Sequence, residues 1–141
     1  MAEHEIQAFF ATYQAAFSRL DGDAVADLWH AHSGITDSRD GWARVTWWDE
    51  DAPMRANHRA LCEVYRHNGY HRAEFTLLHH QALGPNHALA RLHWTLRRAD
   101  GSVLQDFQTA YQLLRTAQGP RVLLATAFEE NIQEMKPHAA Q

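Results

Sequence analysis

Four apolar-rich runs decide the fold of this chain: 73-AEFTLLHHQAL-83, 87-HALARLHWTLRR-98, 103-VLQDFQTAYQLLR-115 and 121-RVLLATAFE-129. Gly84-Pro85-Asn86, Ala99-Asp100-Gly101 and Gln118-Gly119-Pro120 separate them. Such residues supply the backbone angles that a tight reversal needs. The stretch therefore predicts an antiparallel meander of four long strands. Alternation assigns its faces. In 88–96 one parity holds Ala88, Ala90, Leu92, Trp94 and Leu96, and the other holds Leu89, Arg91, His93 and Thr95. In 107–113, Phe107, Thr109, Tyr111 and Leu113 oppose Gln108, Ala110 and Gln112. Side chains along a strand alternate between faces, so the apolar sets should face a layer of helices. The mixed sets should face water or a second subunit.

Upstream of the meander, Ile6, Phe9, Phe10, Tyr13, Phe17 and Leu20 form one stripe of an amphipathic helix over 3–19. Asp21-Gly22-Asp23 breaks it, with Gly22 suited to a left-handed helix end and Asp23 to capping a short second helix over 24–30. Val25, Leu28 and Trp29 supply the buried side of that helix. Residues 31–37 read as a short strand or arm, 37–41 as a turn and 42–48 as the return strand of a hairpin. Residues 49–53 read as an acidic loop. Asn57 is expected to cap a third helix that runs to about 67 and buries Leu61, Val64 and Tyr65. Residues 136–141 read as a frayed tail. Helices gathered ahead of an antiparallel sheet make the class α+β.

The chain has 141 residues, 45% of them hydrophobic and 21% charged, which suits a single domain with a substantial core. Its formal net charge is −4 and no basic run stands out, so neither nucleic acid nor an anionic membrane is an expected partner. No run approaches the roughly 18 apolar residues of a membrane-spanning helix. The opening MAEHEIQ carries acid where a signal peptide carries positive charge, so a cytoplasmic protein is expected. The single cysteine, Cys62, has no intrachain partner, which fits a reducing compartment.

Eleven histidines raise the question of a metal. His30 and His32 share a parity, His79 and His80 point to opposite faces, and His93 lies on the polar parity. No HExxH or cysteine-rich spacing gathers the three or four ligands that zinc needs, so no metal and no cofactor are expected. Nucleophile elbows, phosphate-cradling glycine loops and dinucleotide fingerprints are also absent from the sequence.

The opening helix, the Gly22-Asp23 break before Leu28-Trp29, the helix at 57–67 and the hairpin at Ala99-Asp100-Gly101 form a recognisable series. Continued by Tyr111-Gln112-Leu113-Leu114-Arg115 and 122–131, it resembles the nuclear transport factor 2-like superfamily over about residues 5–131. That superfamily includes SnoaL-like polyketide cyclases and ketosteroid isomerase. The resemblance implies a curved sheet of four long strands plus a short N-terminal strand or hairpin, wrapped around three helices as a cone with an apolar pocket. It further implies a small apolar ligand in the cone and a homodimer through the outer sheet face. The implied activity is a cofactor-independent isomerase, cyclase or dehydratase acting on a small apolar carbonyl compound.

Tyr13 lies sixteen residues before Trp29 and Asp37 nine after Leu28, matching places that carry the isomerase chemistry. There the tyrosine donates to an enolate oxygen and the carboxylate shuttles the proton, so Tyr13 and Asp37 are the catalytic candidates. Trp29, Trp94, Phe107, Thr109 and Tyr111 are the candidate substrate wall. His79 joins them because a His–Asp dehydratase arrangement with Asp37 occurs in the superfamily. Thr109 stands where the isomerases carry a second, protonated acid, Ser38 stands where a proline is common, and 42–56 is longer than the corresponding loop. Those departures leave open a non-catalytic dimeric ligand-binding or interaction domain. Asp37 can equally open a polar turn, and Tyr13 can satisfy its hydroxyl structurally. Trp42, Trp47 and Trp48 can form a lid or pack as a hairpin.

Overall fold

A computed structural model describes residues 1–128. Residues 129–141, which include the end of the fourth run at Glu129 and the expected tail, lie outside the described residues. The elements run α1 (Glu3–Ser18), α2 (Gly22–Ala26), β1 (Trp29–Arg39), β2 (Trp42–Trp48), α3 (Asp51–His67), β3 (Tyr70–Leu83), β4 (His87–Arg98), β5 (Val103–Thr116) and β6 (Gly119–Phe128). The six strands form one sheet in the order β2-β1-β6-β5-β4-β3. No helix among the described residues is long and apolar enough to cross a membrane.

The meander from β3 to β6 pairs antiparallel throughout. Its inner parity is buried as the alternation predicts: Ala88, Ala90, Leu92, Trp94 and Leu96 on β4, and Phe107, Thr109, Tyr111 and Leu113 on β5. The N-terminal strand departs from expectation. β1 is eleven residues long instead of a short arm, and it begins at Trp29, inside the stretch read as helix. It pairs antiparallel with β2 and parallel with β6, so the sheet is mixed. The pairing with β6 joins residues about ninety positions apart, a contact that local periodicity does not report. The turn into β2 is Asp40-Gly41, both at positive φ, so Asp37 lies within the strand and not in the turn.

The helices follow the predicted stripe, with corrections at their ends and on the buried face of α3. α1 buries Ile6, Phe9, Phe10, Tyr13, Ala16 and Phe17. After it Leu20, not Gly22, takes the left-handed conformation, at φ 53°. Gly22 is instead the first residue of α2, whose cap is Asp21, with its carboxylate accepting from the Ala24 N–H at 3.0 Å. α3 starts at Asp51, six residues before the expected cap Asn57. Pro53 is compatible with that start, because N–H groups in the first turn have no intrahelical acceptor to lose. Asp51 also pairs with Arg55 one turn on, at 3.0 Å. The buried face of α3 is Met54, His58, Cys62 and Tyr65, whereas Leu61 is exposed.

Candidate active site

Between the three helices and the concave face of the sheet lies a cavity of about 300 Å³. α1 contributes Tyr13 and Phe17, and α3 contributes Asn57, His58, Cys62 and Tyr65. From the sheet come Trp29, Ile35 and Asp37 on β1, Arg44, Thr46 and Trp48 on β2, and Trp94, Phe107, Thr109 and Tyr111 on β4 and β5. The structure therefore brings together both catalytic candidates and all but one of the candidate wall residues. His79 is the exception. The register of β3 against β4 shifts between Leu77 and His79, which puts the exposed His79 on the outer face beside Leu89 and Arg91. A bulge of this kind moves every following side chain to the opposite face. It is the partly buried His80 that stands opposite inward-facing Ala90.

The walls are aromatic and interlocked. The Tyr13 ring lies 5.8 Å from Trp94 and 6.1 Å from Tyr111, and Phe17 meets Trp94 edge-on at 5.6 Å. Trp29 Nε1 donates to the Tyr13 hydroxyl oxygen at 3.1 Å, and Trp94 Nε1 donates to that of Tyr111 at 2.9 Å. The Tyr13 oxygen thus accepts a structural hydrogen bond from Trp29, and no acceptor among the described residues takes its own proton. Burial raises both phenols above their usual range, so each is a neutral O–H throughout the working pH range. Thr109 is buried on the same wall and contributes a neutral hydroxyl to it.

The polar mouth is Asp37 with Arg44. Arg44 donates from Nε and Nη2 to the two carboxylate oxygens of Asp37, at 3.1 and 2.9 Å. The Asp37 side chain retains 19% of its exposure and that of Arg44 48%. The carboxylate is thus held in a two-pronged guanidinium clamp across the β1–β2 hairpin, and it is not stranded among apolar groups. Arg44 gave no signal in the sequence, because its pairing follows only from the register that sets Asp37 opposite it.

The three tryptophans of β2 go three ways. Trp48 is buried against Trp29 at 6.4 Å and His58 at 6.0 Å. Trp47 lies on the opposite face over Gly34, where a Cβ would come within 2.7 Å of its ring, and its indole donates to Asp49 at 3.2 Å. Trp42, at the hairpin tip, is 79% exposed. Trp48 is therefore wall, and Trp47 and Trp42 lie away from the lining.

His58 is a second lining residue, besides Arg44, that the sequence reading does not single out. It is 2% exposed, its ring centroid lies 4.5 Å from that of Trp29, and Nε2 has no hydrogen-bond partner among the described residues. Burial, reinforced by the charge of Arg55 on the preceding turn, lowers its pKa to about 4. The signal was the spacing Met54, His58, Cys62, Tyr65, which is one helical stripe with a histidine inside it. Cys62 shares the wall, with burial pushing its thiol up to about 11, so it is protonated and unreactive at neutral pH. Among the described residues no group of three or more His, Cys, Asp or Glu side chains could hold a metal ion. His30 and His32 face each other at 5.5 Å, and His30 Nδ1 accepts from the His32 backbone N–H.

Comparison with known proteins supports the architecture. No curated protein sequence matches. An NTF-2 like protein of unknown function from Shewanella oneidensis superposes with a TM-score of 0.68 at 14% identity, covering 90% of this chain and 98% of that one. A ketosteroid isomerase-like protein from Erwinia carotovora atroseptica gives 0.61 at 17% identity, covering 86% and 91%. A function-unknown protein from Mycobacterium tuberculosis gives 0.64 at 22% identity, covering 88% and 69%. Identities this low carry the fold and not the chemistry. The model of one protein family matches residues 3–130, nearly the whole chain, and with the cone and its sheet order in place the chain belongs to the NTF2-like protein family DUF6841.

Proposed function

We propose that the cone binds a small, ring-bearing carbonyl compound and moves a proton on the carbon beside its carbonyl, without a cofactor. The observation that carries this reading is that Asp37 and Tyr13 line one aromatic cavity of about 300 Å³. A cavity of about 150 Å³ holds benzene, so twice that volume suits a fused bicyclic ligand. In the proposed step a carboxylate oxygen of Asp37 takes the α-proton. The C–H electron pair becomes the C=C bond of an enolate, and the Tyr13 O–H donates a hydrogen bond to the enolate oxygen. Return of the proton from Asp37 to carbon completes an isomerisation, while its transfer to a departing β-hydroxyl, which leaves as water as the Cα–Cβ double bond forms, instead completes a dehydration. The Arg44 clamp orients the carboxylate at the mouth.

The test is exchange of the α-protons of 2-indanone with deuterium oxide, followed by proton NMR. The protein should accelerate exchange, and Asp37→Asn should slow the catalysed rate by about 10²-fold or more. Equal rates with and without protein would overturn the reaction, as would an unaffected Asp37→Asn variant.

A second reading, a non-catalytic ligand-binding or interaction domain acting as a homodimer, is favoured by one observation. Each carboxylate oxygen of Asp37 already accepts a hydrogen bond from Arg44. Binding of 2-indanone without exchange would select it.

A further inference from the structure

His58 stands out because it is buried, titratable and unused by the proton transfer. Its ring forms part of the cavity wall, tilted against Trp29 with the centroids 4.5 Å apart, and the Trp29 indole N–H in turn holds the Tyr13 oxygen. Nε2 is buried with no partner among the described residues. Buried polar atoms in native proteins nearly always have a hydrogen-bond partner, so an orphan on a cavity wall marks a place where something else completes it. We propose that His58 is a specificity-determining residue, whose Nε2 pairs with a hydroxyl group on a neutral, ring-bearing ligand in the cone. This inference rests on the reading of the cone as a small-molecule pocket.

The choice of a hydroxyl follows from the state of the ring. With its pKa lowered, His58 is a neutral imidazole carrying one N–H and one bare nitrogen. A hydroxyl both donates and accepts, so it satisfies Nε2 whichever nitrogen bears the proton. A ketone oxygen serves only one of the two tautomers, and a hydrocarbon serves neither. A carboxylate would place its charge against Trp29 and Trp48, where the nearby Arg55 guanidinium is already held by Asp23, Asp27 and Asp51. The ligand class is therefore a bicyclic hydroxy compound, the hydroxyl lying toward α3.

The probes are 5-indanol and indane, which differ by one hydroxyl. Affinities would be measured by calorimetry, and protein labelled with ¹⁵N-histidine would be followed by NMR. The wild-type chain should prefer 5-indanol by about tenfold or more, one good hydrogen bond's worth. The His58 Nε2 resonance should shift with 5-indanol and stay in place with indane. His58→Leu should keep indane binding and lose the preference. Equal binding of the two probes by the wild type, or a preference that survives in His58→Leu, would overturn the role of His58 and leave the pocket standing. Should that variant fail to fold, the unmodified protein still decides, since an unmoved Nε2 resonance under saturating 5-indanol also overturns it. Binding of neither probe would overturn the pocket itself, and this inference with it.

Discussion

Tyr13 and Trp29 show how one contact serves both core and site. The indole N–H needs an acceptor once buried, and the phenol oxygen supplies it without surrendering its own proton. Tyr13→Phe should therefore remove a donor from the cavity and also orphan the Trp29 N–H, at about 1–3 kcal/mol in a urea melt. His58 makes a second prediction at this scale. In the unfolded chain an imidazole binds a proton below about pH 6.5, whereas the folded ring resists protonation down to about 4. Between those values the unfolded state holds the extra proton, so stability falls as pH drops through that window and levels off below it. The contribution is about 2 kcal/mol between pH 7.5 and 4.5. His58→Leu should flatten that part of the profile, since the exposed carboxylates titrate alike in both proteins. Identical pH profiles for the two would show that the buried imidazole is not held neutral.

At the scale of elements, α2 is short and depends on α3. Arg55 reaches the Asp23 carbonyl at 3.0 Å and the Asp27 carboxylate at 2.8 Å, while Arg59 pairs with Asp23 at 2.7 Å. A Cβ on Gly22 would lie 2.7 Å from the Cα of Arg59, a backbone atom that cannot swing aside. Gly22→Ala should push the helices apart and destabilise the fold by about 1–3 kcal/mol, measured as a lowered urea midpoint. An unchanged midpoint would mean that the close approach is not needed. The same pair of helices marks the limit of what the sequence disclosed. The inner parities of β4 and β5 were legible, because strict alternation on a half-buried strand has one physical meaning. Gly22 was legible as special but for the wrong reason, since close packing and positive φ both call for glycine. β1 was hidden because its partner β6 is remote in sequence. Tyr13, Asp37 and the aromatic wall came as candidates from the family resemblance, and the structure places them on one cavity. Arg44, His58 and the misplaced His79 depended on register, on a helix start six residues earlier and on a bulge, none of which has a residue-type signature.

At the scale of the whole molecule, two apolar patches stand exposed among the described residues, one on the outer face of the meander and one on the edge hairpin. On the outer face Leu89 is 40% exposed, in a shallow concavity of about 270 Å³ with His79, Arg91, Gln112 and Leu124. Around it Arg91 Nη1 donates to Gln108 at 2.9 Å, and His93 pairs with Asp106. On the hairpin, Trp42, Val45 and Trp47 stand exposed along the edge strand β2. A two-fold dimer needs a patch that is self-complementary and buries about 800 Å² per partner. The meander face, with its internally paired charges and an apolar centre, is the broader of the two candidates for such a patch. The seven-residue edge strand β2 is narrow, and its Trp47 already packs over Gly34. The homodimer proposed for this chain is therefore assigned to the meander face. Leu89→Asp should convert a dimer to monomer in sedimentation velocity, while Val45→Asp should leave the dimer intact. Reversal of those two outcomes would move the interface to the hairpin, and a monomeric wild type would remove the homodimer altogether. Because His58 and Tyr13 lie on the concave side, a monomeric Leu89→Asp variant should still bind 5-indanol with unchanged affinity.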